Sequence, residues 1–140
     1  MTTQTEYNTN KMIQKIDIIT LYVADHLKSA EFYESLGFKE TFSGDDMAIV
    51  DINGFKLWLV NQATAKGNSE FEHDAFAEQK GAGLYIYINV DNIDGFHQGL
   101  LDKGYEPSSE PRDWPWGNRE FVLRDPDRYK LCFYQAIAKP

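Results

Sequence analysis

The segment ITLYVADHLKSAEFYESLGFKE, residues 19–40, returns in altered form as IYINVDNIDGFHQGLLDKGYEP, residues 86–107. In both copies an apolar, β-branched run ends in valine, and a helix-like pattern ends in glycine followed by an aromatic residue. Farther along, FKLWLV at 55–60 is echoed by YKLCFY at 129–134. Self-similarity of this kind is typical of a duplicated structural unit. The sequence therefore predicts two tandem modules of the same fold.

Each module is predicted to contain one strand, one helix and three more strands. Residues 16–23 are β-branched and aromatic, which favours a strand. Asp25 suits a helix N-cap, and Gly37 suits the residue after the helix because glycine tolerates a left-handed backbone. Asn53-Gly54 indicates a hairpin. In the second module we expect a helix near 93–102 and strands at 84–90, 105–109, 119–124 and 129–135. The fold class is α+β, with tandem βαβββ modules forming a curved mixed-sheet cup whose helices lie on the convex side.

The repeat sets the expected domain boundaries. Residues 1–13 form a flexible N-terminal tail, 14–62 the first module, 63–82 a linker, 83–136 the second module and 137–140 a short tail. The linker is polar and contains glycine, and a short helix is expected within 69–79. A linker of this length could cover the cup.

Composition narrows the possible partners and the compartment. A net charge of −8 argues against binding to nucleic acid, since phosphate contacts need clustered lysine and arginine. The single cysteine, Cys132, allows no disulfide within the chain. The polar N-terminus does not resemble a signal peptide, and no apolar run approaches the length of a membrane span. We therefore expect a cytoplasmic protein that does not contact membranes.

Strand alternation separates an aliphatic face from an aromatic one. In the first strand of the second module, Ile86 and Ile88 should lie under the helix, and Tyr85 and Tyr87 on the opposite face. The closing strands place Trp58, Cys132 and Tyr134 on that same opposite face. Aromatic side chains with a polar group suit a pocket of mixed polarity, and they also suit the filling of a strongly curved sheet. Both interpretations stay open at this point.

Two segments carry a resemblance to a known family: LYVADHLKSAEFYESLGF at 21–38 and REFVLRDPDRYKL at 119–131. Together with the tandem repeat, they resemble the vicinal oxygen chelate superfamily, which includes glyoxalase I, extradiol dioxygenases and bleomycin-resistance proteins. The resemblance implies two modules curled into a cup, with the site on the concave face. It also implies four metal-ligand positions, which here hold Ile18, Trp58, Tyr85 and Cys132.

These four side chains do not suit a divalent metal. A hydrocarbon and an indole offer no lone pair, and one thiol beside one phenol is a poor ligand set. The three histidines, His26, His73 and His97, are expected to be solvated surface residues that share no site. We therefore predict no metal, no cofactor and no catalytic residue, and interpret Cys132 as a small core residue.

The segment PWGNREFVLRDPD, residues 115–127, resembles the corresponding part of bleomycin-resistance proteins. That resemblance implies a homodimer that sequesters an aromatic, cationic drug, such as a bleomycin-like antibiotic, in a dimer cleft without chemistry. Whether the two subunits exchange modules is left open. The expected ligand-binding residues are aromatic and are Phe38, Phe42, Trp58, Tyr85, Tyr87 and Trp116.

Two alternatives remain on the same fold. One is a metal-dependent enzyme of glyoxalase or dioxygenase type, whose usable side chains would be Glu120, Asp46, His73 and Asp51. The other is a regulatory module that binds a metabolite. Among the remaining charged residues, Arg119 and Glu120 are expected to form an ion pair or a dimer contact, while Arg124 and Asp125 are expected to hold the last turn.

Overall fold

The computed structural model describes residues 9–138. A 3-10 helix at Thr9–Lys11 comes first. The first module then contains β1 (Ile19–Val23), α1 (His26–Ser35), β2 (Lys39–Ser43), β3 (Met47–Ile52) and β4 (Phe55–Asn61). A 3-10 helix (Gln62–Ala65) and the four-residue α2 (Glu72–Ala75) follow. The second module contains β5 (Tyr85–Asn89), α3 (Ile93–Asp102), β6 (Arg112–Asp113), β7 (Asn118–Arg124) and β8 (Lys130–Ala136).

The two modules have the same sheet topology. The strand orders are β1-β4-β3-β2 and β5-β8-β7-β6. In each sheet the first strand pairs in parallel with the last, and the other pairings are antiparallel. The predicted α+β fold and the tandem repeat are confirmed. None of the helices within residues 9–138 is both long and apolar enough to cross a membrane.

The local signals of the first module act as expected. The Asp25 carboxylate caps α1, because its Oδ1 accepts hydrogen bonds from the backbone N–H groups of Leu27 and Lys28 at 3.1 and 3.2 Å. Gly37 follows the helix with a φ of +113°. The β3–β4 hairpin turns through Asn53 and Gly54, both with positive φ, as the two-residue hairpin turn requires.

The strand predicted at 105–109 is wrong, and a two-residue strand at Arg112–Asp113 takes its place. Pro107 and Pro111 have no backbone N–H and so cannot support a regular ladder. The intervening serines nevertheless hold this segment against β7. The Ser108 N–H donates to the carbonyl of Val122 at 2.8 Å, and the Ser109 hydroxyl accepts from the N–H of Val122 at 3.0 Å.

The expectation that all three histidines are solvated is wrong for His26. This side chain is buried at the start of α1, with Nε2 2.9 Å from the carbonyl of Gly44 and Nδ1 3.4 Å from the Asn61 amide. The helix N-terminus packs against a turn and a strand end, and that tertiary contact covers the ring. His73 is exposed, and the ring of His97 packs edge-on against Phe121 at 4.9 Å.

One apolar core contains residues of both modules. Polar contacts join them at one end: the Tyr33 hydroxyl donates to the Asp125 carboxylate at 2.7 Å, and the Tyr129 hydroxyl donates to the carbonyl of Tyr22 at 2.8 Å. The Asp127 carboxylate accepts from the Ala24 N–H at 2.8 Å. Since the helices and the aliphatic strand faces fill the shared core, the opposite face of each sheet is left for a site.

Candidate functional site

The face of the second sheet opposite α3, called here the open face of the second module, is defined by strand register. Three rows of facing residues cross it. They are Tyr85, Lys130 and Arg124; Tyr87, Cys132 and Val122; and Asn89, Tyr134, Glu120 and Arg112. Tyr85 and Tyr87 are 54% and 51% exposed. Tyrosines this open on the face of a sheet are available to a ligand or to another protein.

Two stacked tryptophans form a platform beside this face. Trp114 and Trp116 lie in the turn between β6 and β7, with ring centroids 4.7 Å apart and planes 15° from parallel. Gly117, with φ +92°, closes the turn by donating to the carbonyl of Trp114 at 3.1 Å. The Arg112 guanidinium covers the Trp114 ring at 3.7 Å. Trp116 is 54% exposed, so its ring can stack on a planar group.

Glu120 is the buried acid at the centre of the face. Its Oε1 accepts a hydrogen bond from the Tyr87 hydroxyl at 3.1 Å, and its Oε2 accepts from the Trp116 indole and the Asn118 amide, each at 3.0 Å. Partial desolvation of its hydroxyl, followed by the hydrogen bond to Glu120, raises the pKa of Tyr87 to about 12. Tyr87 therefore stays a neutral donor, and Glu120 orients Tyr87 and Trp116 toward the solvent side of the face.

Two grooves border Trp116. One, of about 400 Å³, is lined by Tyr87, Asn118, Glu120 and Tyr134 as well as by Trp116. The other, of about 450 Å³, extends over Tyr85, Trp114 and three cationic side chains. A third groove, of about 550 Å³, lies between the modules and is lined mainly by aliphatic and aromatic residues, with all of β5 on one side and Ile19, Phe38, Phe55 and Leu57 of the first module on the other. The two grooves beside Trp116 hold the polar and charged groups that a specific site needs.

The structure separates the six expected ligand-binding residues into three places. Tyr85, Tyr87 and Trp116 meet at the second groove. Phe42 and Trp58 lie on the open face of the first sheet, where Ile49 faces both of them, and neither lines a groove beside Trp116.

Phe38 does not line either groove beside Trp116, but it borders the groove between the modules together with Tyr85 and Tyr87. It is buried in the core, with its ring 5.2 Å from that of Tyr33, because it directly follows the turn that ends α1.

The positions expected to bind metal in the wider superfamily do not fit one here. Register places Cys132 beside Tyr87 and Trp58 beside Thr20. Cys132 is buried, and burial followed by the charge of Glu120 raises the pKa of its thiol, which keeps it protonated. Among residues 9–138 no three His, Cys, Asp or Glu side chains come together in a way that could hold an ion. The four side chains considered for the enzyme alternative are therefore not grouped.

The charged contacts of β7 differ in part from those expected from the sequence. Arg119 does not pair with Glu120, since adjacent strand residues point to opposite faces; it pairs with Asp94 and Asp113 at 3.0 and 3.1 Å. Strand alternation places Glu120 with Tyr134, and that signal could have identified the buried acid. Arg124 and Asp125 hold the last turn, as expected.

Comparison with known proteins identifies the family. The model of the Glyoxalase/Bleomycin resistance protein/Dioxygenase superfamily matches residues 15–133. The chain belongs to this superfamily. Bleomycin resistance proteins of Geobacillus stearothermophilus and Staphylococcus aureus are 31% identical to it over 133 residues, which cover 90% of this chain and 98% of theirs. The resemblance inferred from the sequence is confirmed.

Solved structures of the superfamily share the fold. A glyoxalase/bleomycin resistance protein/dioxygenase from Nocardioides superposes with a TM-score of 0.75 at 21% identity, covering 94% of this chain and 91% of that one. A hypothetical protein from S. aureus superposes with a TM-score of 0.74 at 22% identity, covering 91% and 97%. At these identities the comparison supports the architecture alone.

Proposed function

We propose that the chain binds and sequesters a planar aromatic, drug-like small molecule on the open face of the second module, without chemical turnover. The stacked pair Trp114 and Trp116 is the observation that carries this proposal. A planar ring can stack on the exposed indole of Trp116, and such contacts contribute about 1 kcal/mol beyond simple burial. The bleomycin resistance proteins that resemble the chain make a bleomycin-like antibiotic the first candidate ligand.

A cationic group of that ligand would lie in the groove around Glu120. The rings of Tyr87, Tyr134 and Trp116 line this groove, with the Tyr87 and Tyr134 centroids 5.8 Å apart. Aromatic faces attract cations, and the attraction is strengthened by a carboxylate within the same desolvated site. Among residues 9–138 the hydrogen-bond donors to Glu120 are neutral groups, so its negative charge can attract a cation.

A second copy of the chain would complete the cleft. Phe42, Tyr85, Tyr87 and Trp116 are each about half exposed, which is much aromatic surface for a chain of this size. If the first-module face of one subunit covered the second-module face of the other, Phe42 and Trp58 would close the cleft over a ligand. The homodimer is thus part of the proposal, and cytoplasmic location stays a prediction.

Calorimetric titration of the metal-free protein with metal-free bleomycin tests the function. We expect saturable binding at one ligand per chain, weakened about tenfold by Trp116→Ala through the loss of stacking. Phe55→Ala is the matched control, because Phe55 is 49% exposed but lies outside both grooves beside Trp116. Binding that Trp116→Ala leaves unchanged would refute the assigned site. If bleomycin does not bind while other planar metabolites do, the metabolite-binding alternative is favoured.

A further inference from the structure

Three cationic side chains lie on the open face of the second module. Arg112 faces Glu120 across β6 and β7, while Arg124 and Lys130 face each other at the end of β7 away from Glu120. Arg112, Arg124 and Lys130 line the groove of about 450 Å³ beside Trp114 and Trp116. The chain as a whole carries a net charge of −8, so a concentration of positive charge in one groove runs against the overall balance. The proposed function, which places a ring on Trp116 and a cation at Glu120, does not use these residues.

The arrangement of these cations lowers the stability of the second sheet. Arg124 and Lys130 face each other directly on the paired strands β7 and β8, and like charges in that position destabilise a sheet. Within residues 9–138 the ion pairs are Lys15 with Asp17 and Arg119 with Asp94 and Asp113. In the described part of the chain, Arg124 and Lys130 therefore have no carboxylate partner, and Arg112 faces Glu120 in register without forming an ion pair with it.

Neutral contacts hold the cations in place. The Arg124 guanidinium donates to the carbonyl of Arg128 at 3.1 Å, and the Lys130 ammonium lies 5.0 Å from the centroid of the Tyr85 ring. Arg112 rests on the face of Trp114. These contacts orient the charges without neutralising them, as is common in sites that bind an anion through charge-assisted hydrogen bonds.

We propose that the end of the groove formed by Arg124 and Lys130 binds an oxyanion of the ligand, such as a carboxylate, phosphate or sulfonate. The inference rests on the proposed function and specifies the ligand class: an extended aromatic molecule with an anionic group at one end and a cationic group at the other. Glu120 and Arg124 are four residues apart on β7, which separates the two ends by roughly 14 Å at about 3.4 Å per residue. Trp116 lines both the groove around Glu120 and the groove that contains Arg124 and Lys130.

Probes that share one ring system test the charge preference. Pyrenecarboxylate, neutral pyrenemethanol and pyrenemethylammonium are each titrated into the full chain, with pyrene fluorescence as the readout. We expect pyrenecarboxylate to bind about tenfold more tightly than pyrenemethanol, as one charge-assisted contact would give. The preference should disappear in the double variant Arg124→Gln/Lys130→Gln and should weaken as salt is added. Lys28→Gln/Lys66→Gln removes the same charge elsewhere and should keep the preference.

The outcomes separate this inference from the proposed function. If the three pyrenes bind equally, the oxyanion site is refuted, while sequestration of planar molecules stands. If no pyrene binds, the proposed function fails and the inference falls with it. If the Arg124→Gln/Lys130→Gln variant no longer binds pyrenemethanol either, the two residues maintain the shape of the groove, and the proposed attraction between their charges and an oxyanion is refuted. If it changes only the oligomeric state, measured by sedimentation, the cations pair with another subunit and the inference is refuted.

Discussion

The last hairpin turn of each module occupies the same place in the repeat. Within residues 9–138, side chains of the second module's turn form hydrogen bonds with the first module, and the first module's turn lacks the equivalent contact. In the second module, Asp125 is 4% exposed and accepts hydrogen bonds from the Tyr33 hydroxyl and from two backbone N–H groups of its own turn. Its counterpart in the first module, Asp51, is half-buried, and among residues 9–138 its carboxylate accepts a hydrogen bond only from the Gly54 N–H. The duplicated turns thus diverged into one that joins the modules and one that does not.

The aromatic residue after each turn shows the same difference. Tyr129 is 6% exposed and its hydroxyl donates to the carbonyl of Tyr22, whereas Phe55 is 49% exposed at the groove between the modules. The helix position that holds Tyr33 in the first module holds Leu100 in the second. The Tyr33 hydroxyl therefore determines which of the two turns is hydrogen-bonded to the helix of the other module, because Leu100 has no hydroxyl to donate to Asp51.

Removing the acid at each turn should give the largest contrast. Asp125→Ala leaves the Tyr33 hydroxyl and the N–H groups of Asp127 and Tyr129 without their buried acceptor, and we expect it to lower the free energy of unfolding by about 4 kcal/mol. Asp51→Ala should cost less than about 1 kcal/mol, since solvent reaches that turn. Urea unfolding measures both. An equal decrease in the free energy of unfolding for the two variants would contradict the difference between the two turns.

The pH dependence of stability should reveal the burial of Asp125. Burial raises the pKa of Asp125 to about 6 from its ordinary value of 3.8. Between those pH values the folded chain holds a proton that the unfolded chain releases. The free energy of unfolding due to this group therefore rises as the pH falls from about 6 to about 4, by up to about 3 kcal/mol, and is lost as the pH rises through 6.

Asp125→Asn tests this sign. In this variant the free energy of unfolding should not rise as the pH falls. Plots of the free energy of unfolding against pH, measured by urea titration, should therefore diverge between the variant and the unmodified chain from pH 7 to pH 4. Asp127, whose pKa is also raised mainly by burial, contributes in the same direction but is present in both chains. A parallel curve for Asp125→Asn would mean that Asp125 is ionised in the folded state throughout this range.

The smallest contrast concerns the aromatic residues after the turns. Tyr129→Phe removes one hydrogen bond to the carbonyl of Tyr22 and should lower the free energy of unfolding by about 1 kcal/mol. Phe55→Ala removes a half-exposed ring and should change it by about 0.5 kcal/mol or less. Thermal unfolding, checked against urea midpoints, measures the pair. A larger decrease in the free energy of unfolding for Phe55→Ala would show that this ring stabilises the packing at the groove between the modules more than its exposure indicates.

Local signals were sufficient for the secondary structure of the first module. The N-cap at Asp25, the glycine at 37 and the Asn53-Gly54 hairpin depend on interactions within a few residues, and all three hold in the structure. The strand expected at 105–109 failed because two prolines outweighed a match to the first copy. Resemblance between repeats predicts the order of elements better than it predicts each element's boundaries.

The sequence alone determined the duplicated βαβββ plan, the superfamily, and the aromatic character of the open face, since periodicity and turn chemistry act over short distances. Only the tertiary structure decided that Glu120 meets Tyr87 and Trp116, that Arg112, Arg124 and Lys130 line one groove, and that Phe38 and His26 are buried. These residues come from strands and turns far apart in the chain. Their convergence depends on strand register and on packing between elements, which no short-range pattern encodes.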